Sequence, residues 1–252
     1  MSDCLKLARA LAVTLAIAAG AACTPGPVGV ATLPSDTLAD GLVGHWRFDE
    51  GVGTVAHDSS GNARDATLFG TGWSWIAGRF GGGAHFGGID QATVAAFPAA
   101  TASFTVSAWV RVASSELTGA PITAALSTEN GFGGWSLNVG VTVMPSYGFG
   151  YPTGPTDRAV ALCTCLVPDT WSHVAAVVDS GSTLTMYVNG APQTPVPVAG
   201  AIPLGDATLY MARWYAPGRN LTGALDDVAI YSRALVAEEI ALLASAPAVD
   251  PR

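Results

Sequence analysis

Residues 44–61 read GHWRFDEGVGTVAHDSSG, and residues 223–240 read GALDDVAIYSRALVAEEI. The first stretch, taken back to Gly41, alternates as a strand does. Leu42, Trp46 and Phe48 fall on one face, and His45, Arg47 and Asp49 on the other. The second reads as a strand, LDDVAIYSRAL, followed by a helical pattern from Val236 to Ala244, with Leu235, Ile240 and Leu243 placed to pack inward. Strand signals recur between the two. FTVSAWVRV at 104–112 sets Phe104, Val106, Ala108 and Val110 on one face and Trp109 on the opposite one, so both faces are covered or one lines a groove. SHVAAVVD at 172–179 is continuously apolar, as a central strand is. LTMYVNG ends in Asn189-Gly190, a strong tight-turn signal. Strands dominate and no βαβ alternation occurs. The expected fold is all-β: a two-sheet antiparallel jelly-roll sandwich with a short C-terminal helix.

Composition agrees. The chain has 252 residues, 50% of them hydrophobic, with 30 Gly and 16 Pro as punctuation. That is too apolar for disorder and suits many short strands and turns. The formal net charge is −8. Residues 1–22 hold Lys6, Arg9 and Asp3, so the remainder keeps 9 Arg against 18 Asp plus Glu, or −9. No basic cluster exists, so a nucleic-acid partner is not expected, and neither is electrostatic binding to an anionic membrane surface.

Residues 1–22 read as a signal peptide: Lys6 and Arg9 are followed by the apolar run Leu11–Ala19 and the small residues Gly20, Ala21 and Ala22. The run is shorter than the roughly 20 residues that span a bilayer. Ala21-Ala22-Cys23 resembles a bacterial lipobox, although Gly20 stands where Leu is usual and Asp3 is atypical. Cys23 is therefore the expected lipidation site and the only expected membrane attachment. Residues 23–41, rich in Pro, Gly and Thr, read as the lipidated N-terminus and tether, 42–245 as the domain, and 246–252 as a loose tail. The expected location is the cell envelope, membrane-anchored, with plain secretion as the alternative. Cys163 and Cys165 are spaced C-x-C, poorly placed for a disulfide on a strand unless a sharp turn intervenes. A metal site there would need further ligands.

Eight short motifs stand in one order. They are Trp46-x-Phe48-Asp49-Glu50-Gly51, Asp58 to Asn62 (DSSGN), Gly82 to Phe86 (GGAHF), Phe104 to Val110, Trp171 to Ala175 (WSHVA), Tyr187 to Gly190, Gly223 to Tyr231 and Arg233 to Ile240. Together they resemble the laminin-G-like jelly-roll domains of the concanavalin A-like lectin/glucanase superfamily, across about 200 residues. Two departures stand out. Gly87-Gly88 occupy a segment where the family often has a second acid, leaving Asp90. Val236 holds the helix-cap position opposite Glu239 where Ser is usual, which should cost the helix start about 1 kcal/mol.

Three kinds of site follow. Asp49, Glu50, Asp58, Asn62, Asp226 and Asp227 lie near the first and last strands, which are commonly neighbours in a jelly roll. The resemblance implies a structural Ca²⁺ held by them, against the alternative of turn hydrogen bonds and loop capping. Trp73 and Trp75 in TGWSWIAG, Tyr147 and Tyr151 in YGFGY, and Trp214 sit beside Gly and Pro, as a sugar-stacking platform would; the alternative is core packing. Trp46, Trp109 and Trp171 read as core. For catalysis, neither the E-x-D-x-x-E acid pattern nor a G-x-S-x-G elbow occurs, the adjacent pairs Asp226-Asp227 and Glu238-Glu239 should diverge, and the four His are scattered. The expected function is a non-catalytic extracytoplasmic binding module for a glycan or for an envelope or cell-surface protein. A structural protein-interaction module without a small ligand is the alternative, and a glycoside-active enzyme a distant one.

Overall fold

Among the described residues, seventeen strands form two antiparallel sheets. In chain order they are β1 (Leu42–Trp46), β2 (Val55–Ala56), β3 (Ala66–Phe69), β4 (Ser74–Ala77), β5 (Gly82–Gly87), β6 (Gln91–Val94), β7 (Phe104–Val112), β8 (Thr123–Ser127) and β9 (Ser136–Val139). There follow β10 (Tyr147–Pro152), β11 (Arg158–Cys163), β12 (Ser172–Asp179), β13 (Thr183–Val188), β14 (Ala191–Pro192), β15 (Val196–Pro197), β16 (Leu209–Met211) and β17 (Thr222–Tyr231), and then the helix α1 (Ala237–Ser245). The structure, a computed structural model, describes residues 35–117, 123–128, 133–139, 147–152, 158–163, 166–179, 183–197, 207–214 and 218–245; for 147–152 and 158–163 it describes the backbone. The signal segment, Cys23, Cys165 and the tail 246–252 lie outside the described residues.

The first sheet runs β14-β13-β12-β7-β17-β5-β4, with β1 also on β17 and β15 on β13; the second runs β11-β10-β9-β8-β16-β6-β3-β2. The inward faces build one core. Phe104, Val106, Ala108 and Val110 of β7 and Val174, Ala176 and Val178 of β12 meet Leu126, Leu137 and Leu209 of the opposite sheet. Trp46, fully buried in this core, donates its indole N–H to the carbonyl of Arg64 at 2.8 Å, so the large ring is buried with its polar atom satisfied.

A second apolar cluster covers the outer face of the first sheet. Leu235, Ile240 and Leu243, at and within α1, pack on Ala175, Val177, Tyr187, Ala229 and Tyr231. Sheet 1 is thus buried on both faces, which explains the continuous apolar run of β12. The Asn189-Gly190 turn forms as expected, with φ of 48° and 80° at its two residues and Val188 paired to Ala191.

Two expectations are corrected. The first strand does not alternate throughout: a register shift between Leu42 and Gly44 sends Leu42 to the outer cluster while Trp46 and Phe48 stay in the core. The tether expected over 23–41 does not extend to its end. Ser35–Ala39 form a 3₁₀ helix, and Leu38 is buried in the outer cluster. Arg233 is the reason. Its guanidinium donates to the carbonyls of Thr37 and Asp40 and makes a bidentate pair with Glu239 at 2.7 and 2.8 Å. Glu239 also accepts the Val236 N–H at 2.9 Å, so the reciprocal half of a capping box survives although Val236 cannot supply the other half.

Arg233→Ala should therefore loosen both chain ends at once. It strands the Glu239 carboxylate, 5% exposed, without its cation. The expected loss is about 2–3 kcal/mol, below the cost of a fully buried pair because the Arg233 side chain is partly solvated. Denaturant unfolding would measure it, and a Glu239→Leu, Arg233→Met pair should cost less than Arg233→Ala alone.

Candidate functional site

The six acids and amides expected to hold one cation are distributed over four places. Asp58 organises the β2–β3 region. Its Oδ1 accepts the N–H groups of His45 and Ser60 at 3.0 and 2.9 Å, and its Oδ2 accepts that of Arg64 at 3.0 Å. Burial alone would raise its pKa, but the Ser60 hydroxyl and these N–H groups outweigh it and hold the carboxyl below the ordinary value. Asn62 donates its amide to the carbonyls of Leu42 and Val43. Glu50 accepts the His57 N–H at 2.8 Å. Asp49 pairs with Arg47 at 2.9 Å and accepts the Gly82 N–H at 2.6 Å.

Asp226 and Asp227 straddle a β-bulge. β17 pairs β7 on one side. On the other, residues 222–225 pair β5 and residues 228–231 pair β1, and the bulge falls where the partner changes. Asp227 adopts φ 47°, inserting an extra residue opposite β7. The adjacent acids therefore do not diverge to opposite faces as strict alternation requires. Both serve the outer side. Asp226 Oδ2 accepts the N–H groups of Arg79 and Phe80 at 2.6 and 2.9 Å, gripping the β4–β5 turn, where a Cβ on Gly78 would lie 1.8 Å from the Gly82 carbonyl oxygen. Asp227 Oδ1 lies 2.6 Å from His45 Nε2, with both side chains buried.

Ca²⁺ wants six to eight oxygens at one point. Among the described residues, no three His, Cys, Asp or Glu are grouped to hold a metal ion. Backbone N–H groups already occupy the carboxylates of Asp49, Asp58 and Asp226. The six residues do not fit one calcium cage; they act as clamps on turns and strand ends.

Beneath α1 lies a buried polar group of Ser107, His173, Asp227 and His45. Ser107 Oγ is 2.8 Å from His173 Nε2. Asp227 hydrogen-bonds to His45 rather than His173, and Ser107 is 2% exposed, so the arrangement is a hydrogen-bond network within the sheet–helix layer. Burial, opposed by the Asp227 charge, pushes His173 down to about 4.

The expected aromatic platform also separates. Trp73 and Trp75 meet edge to face at 5.8 Å, half-buried against the core, and Trp75 donates to the Gly53 carbonyl. Trp214 is 7% exposed, with Arg219 stacked on it at 4.6 Å, and so offers no open face. Tyr147 pairs in register with Val139 and Phe149 with Leu137; the side chains of Tyr147 and Tyr151 lie outside the described residues.

The structure points elsewhere. Past the C-terminal end of α1, the outer face of sheet 1 opens into a groove of about 610 Å³, lined by Arg79, Trp109, Asp169, Thr170, Trp171, Asn189 and Ala244. Its volume lies within the range of about 300–1,000 Å³ usual for ligand sites. Trp109 forms the floor, its indole N–H donating to the Leu243 carbonyl at 3.3 Å, and Arg79 stacks above it at 4.8 Å. Trp171, half-buried, stands at the rim with Arg111 over its ring at 5.2 Å. Asn189 fixes the local backbone by accepting the His173 N–H at 2.9 Å, and Asp169 caps the Ser114 N–H at 3.3 Å. The expectation that Trp171 is a core residue is corrected. It precedes β12, directly after the Pro168-Asp169-Thr170 turn, and so reaches past the helix. The legible signal was phase: Trp109 alternates against the core residues of β7. Arg79 and Arg111 carried no such signal.

Asp226 retains an Oδ1 with no hydrogen-bond partner among the described residues, and burial, with the charges of Asp227 and Asp49, raises it to about 7 against its backbone hydrogen bonds. The folded state therefore binds the Asp226 proton more tightly than the unfolded chain, so this group adds stability at low pH that is lost as pH rises from about 4 to about 7. His173 acts with opposite sign, its stability present above the ordinary histidine value of 6.5 and lost as pH falls toward about 4. Asp226→Asn should raise Tm at pH 8 by about 2–4 °C and should steepen the acid loss between pH 6.5 and 4, since the opposing slope is gone. Thermal melts across pH 4–8 test both signs.

Residues 86–241 match the Laminin_G_3 family model, the Concanavalin A-like lectin/glucanases superfamily. No curated protein matches the sequence. Among solved structures, domain 4 of AbnA, an extracellular GH43 arabinanase from Geobacillus stearothermophilus in complex with arabinotriose, is similar at TM-score 0.63 and 19% identity, covering 81% of this chain and 98% of that one. The binding domain of Paraclostridial Mosquitocidal Protein 1 aligns at TM-score 0.67 and 18% identity, and that of botulinum neurotoxin DC, in complex with rat synaptotagmin II, at 0.65 and 16%. Each toxin alignment covers 82% of this chain and 52% of the other, so the match spans about half of those domains. The family match covers well over half of the sequence, and the two-sheet sandwich agrees with it: the chain belongs to the laminin-G-like family of the concanavalin A-like lectin/glucanases superfamily.

Proposed function

We propose that this chain is a non-catalytic, extracytoplasmic binding module that engages a glycan through the groove beside α1. The observation that carries the reading is the groove's construction. A rim indole, Trp171, stands among hydroxyl, amide, carboxylate and guanidinium groups on a sheet held rigid from both faces. A sugar ring needs this pairing: an apolar face to stack on, and polar groups set to meet its hydroxyls. The similarity to a domain solved with arabinotriose and to toxin binding domains supports a binding role at the level of the fold. The signal-like segment 1–22 and Cys23 support delivery to the cell envelope with a lipid attachment.

Trp171→Ala should abolish most binding on a glycan array, costing at least about 2 kcal/mol for the bound sugar, with Tm nearly unchanged. Trp46→Ala, by contrast, should destabilise the fold by about 3–5 kcal/mol. Capture of an envelope protein without sugar inhibition, with an array that stays silent, would replace the glycan reading by a protein-binding one. Cys23→Ser should release the chain from the membrane fraction or block its processing; unchanged retention with normal maturation would remove the lipid anchor from the proposal.

A further inference from the structure

We infer that the ligand of this groove is an acidic glycan, and that Arg79 and Arg111 receive its carboxylate. The inference rests on the glycan reading above and adds the chemical class. The chain is acidic, with 11 Lys plus Arg against 19 Asp plus Glu. In such a chain a cation usually finds an internal acceptor, and most of the described arginines do. Arg47 pairs with Asp49, Arg64 donates to Val43, Arg213 to Gln91 and Arg233 to Glu239. Arg79 and Arg111 do not, and neither does Arg219, which lies over Trp214. Among the described residues, their side-chain contacts are with rings alone: Arg79 over Trp109 and Phe80, Arg111 over Trp171.

Arg79 lines the groove and Arg111 borders it, over the ring of the lining residue Trp171. A guanidinium held over an aromatic ring is positioned without spending its N–H groups. They remain for the two parallel hydrogen bonds by which a guanidinium matches a carboxylate. Two such forks, braced by separate Trp residues of one groove, make a receptor for an anion built in advance. Asp169 is the one acid among the lining residues, where Arg79 balances it, and Arg111, over the Trp171 ring at the border, adds a second positive charge beside the groove. Asp169 is exposed and acts as an acceptor for a ligand hydroxyl, which argues for a ligand carrying both hydroxyls and a carboxylate. A sugar bearing its carboxylate on the ring, a uronate, meets both demands and presents a flat C–H face to Trp171. A free peptide carboxylate meets only the demand for a carboxylate.

The test uses the full chain and paired probes: oligogalacturonate, glucuronate- and mannuronate-containing oligosaccharides, and the carboxyl-reduced form of each. Titration calorimetry should find at least one uronate binding about tenfold or more tighter than its reduced partner, with affinity falling as salt rises. Arg79→Gln and Arg111→Gln should each remove most of that difference, weakening the uronate far more than its reduced partner, and Arg111→Lys should restore part of it. Melting curves run in parallel identify a variant that has lost its fold. In that event the comparison rests on Arg79→Met, which keeps an apolar cover on Trp109. Equal binding of charged and reduced probes, still dependent on Trp171, would overturn the acidic class and leave the glycan reading standing. Binding of polyglutamate without any uronate would overturn it in favour of an acidic peptide. Silence toward every uronate in the panel would overturn it outright.

Discussion

The bulge at Asp226-Asp227 is the constraint on which the outer half of this molecule depends. β17 is the longest strand among the described residues, and the side it turns away from β7 is shared between β5 and β1. At the change-over, among the described residues, no strand pairs with residues 226 and 227 on that side. The two acids fill that gap, Asp226 by accepting from the β4–β5 turn and Asp227 by holding His45 of β1. One extra residue in a left-handed conformation lets both consecutive side chains serve one side of the sheet, which a regular strand forbids. The sheet junction, the position of Arg79 and the polar network under the helix all follow from that single insertion.

Arg233 performs the complementary task at the other end of the same strand. It joins the N-terminal 3₁₀ segment to α1 through Glu239, so the outer apolar cluster is closed by an ion pair that both chain ends share. The helix then covers only part of the sheet. Where it stops, the alternation of β7 still sends Trp109 outward against the Leu243 carbonyl, where it floors the groove, and the half-buried Trp171 stands at the rim. The groove is the uncovered remainder of a face that is otherwise buried, which is why its floor is rigid and aromatic while its rim is polar.

This arrangement also accounts for the acids that suggest a cation in the linear sequence. Carboxylates near strand ends serve two purposes, metal coordination and capping of backbone N–H groups, and the residue types are the same for both. Asp58 accepts three backbone N–H bonds. Each such bond satisfies a donor that would otherwise be stranded in a tight loop.

What the sequence by itself determined was the two-sheet architecture, the strand order of its motifs, the inward face of β7, the central place of β12, the Asn189-Gly190 turn and the amphipathic end helix. These rest on period-two and period-3.6 patterns and on local turn chemistry, all of which act within a few residues. Half of the groove was legible too, in the contrary phase of Trp109. Only the tertiary structure decided where Asp226 and Asp227 point, that Leu38 joins the domain, that Trp214 is buried while Trp171 stands at a rim, and that Arg79 and Arg111 lie over two aromatic rings of one groove. Each of these depends on a bulge, on the length of a helix, or on residues 32 positions apart brought together by strand pairing, and no local pattern encodes such distances.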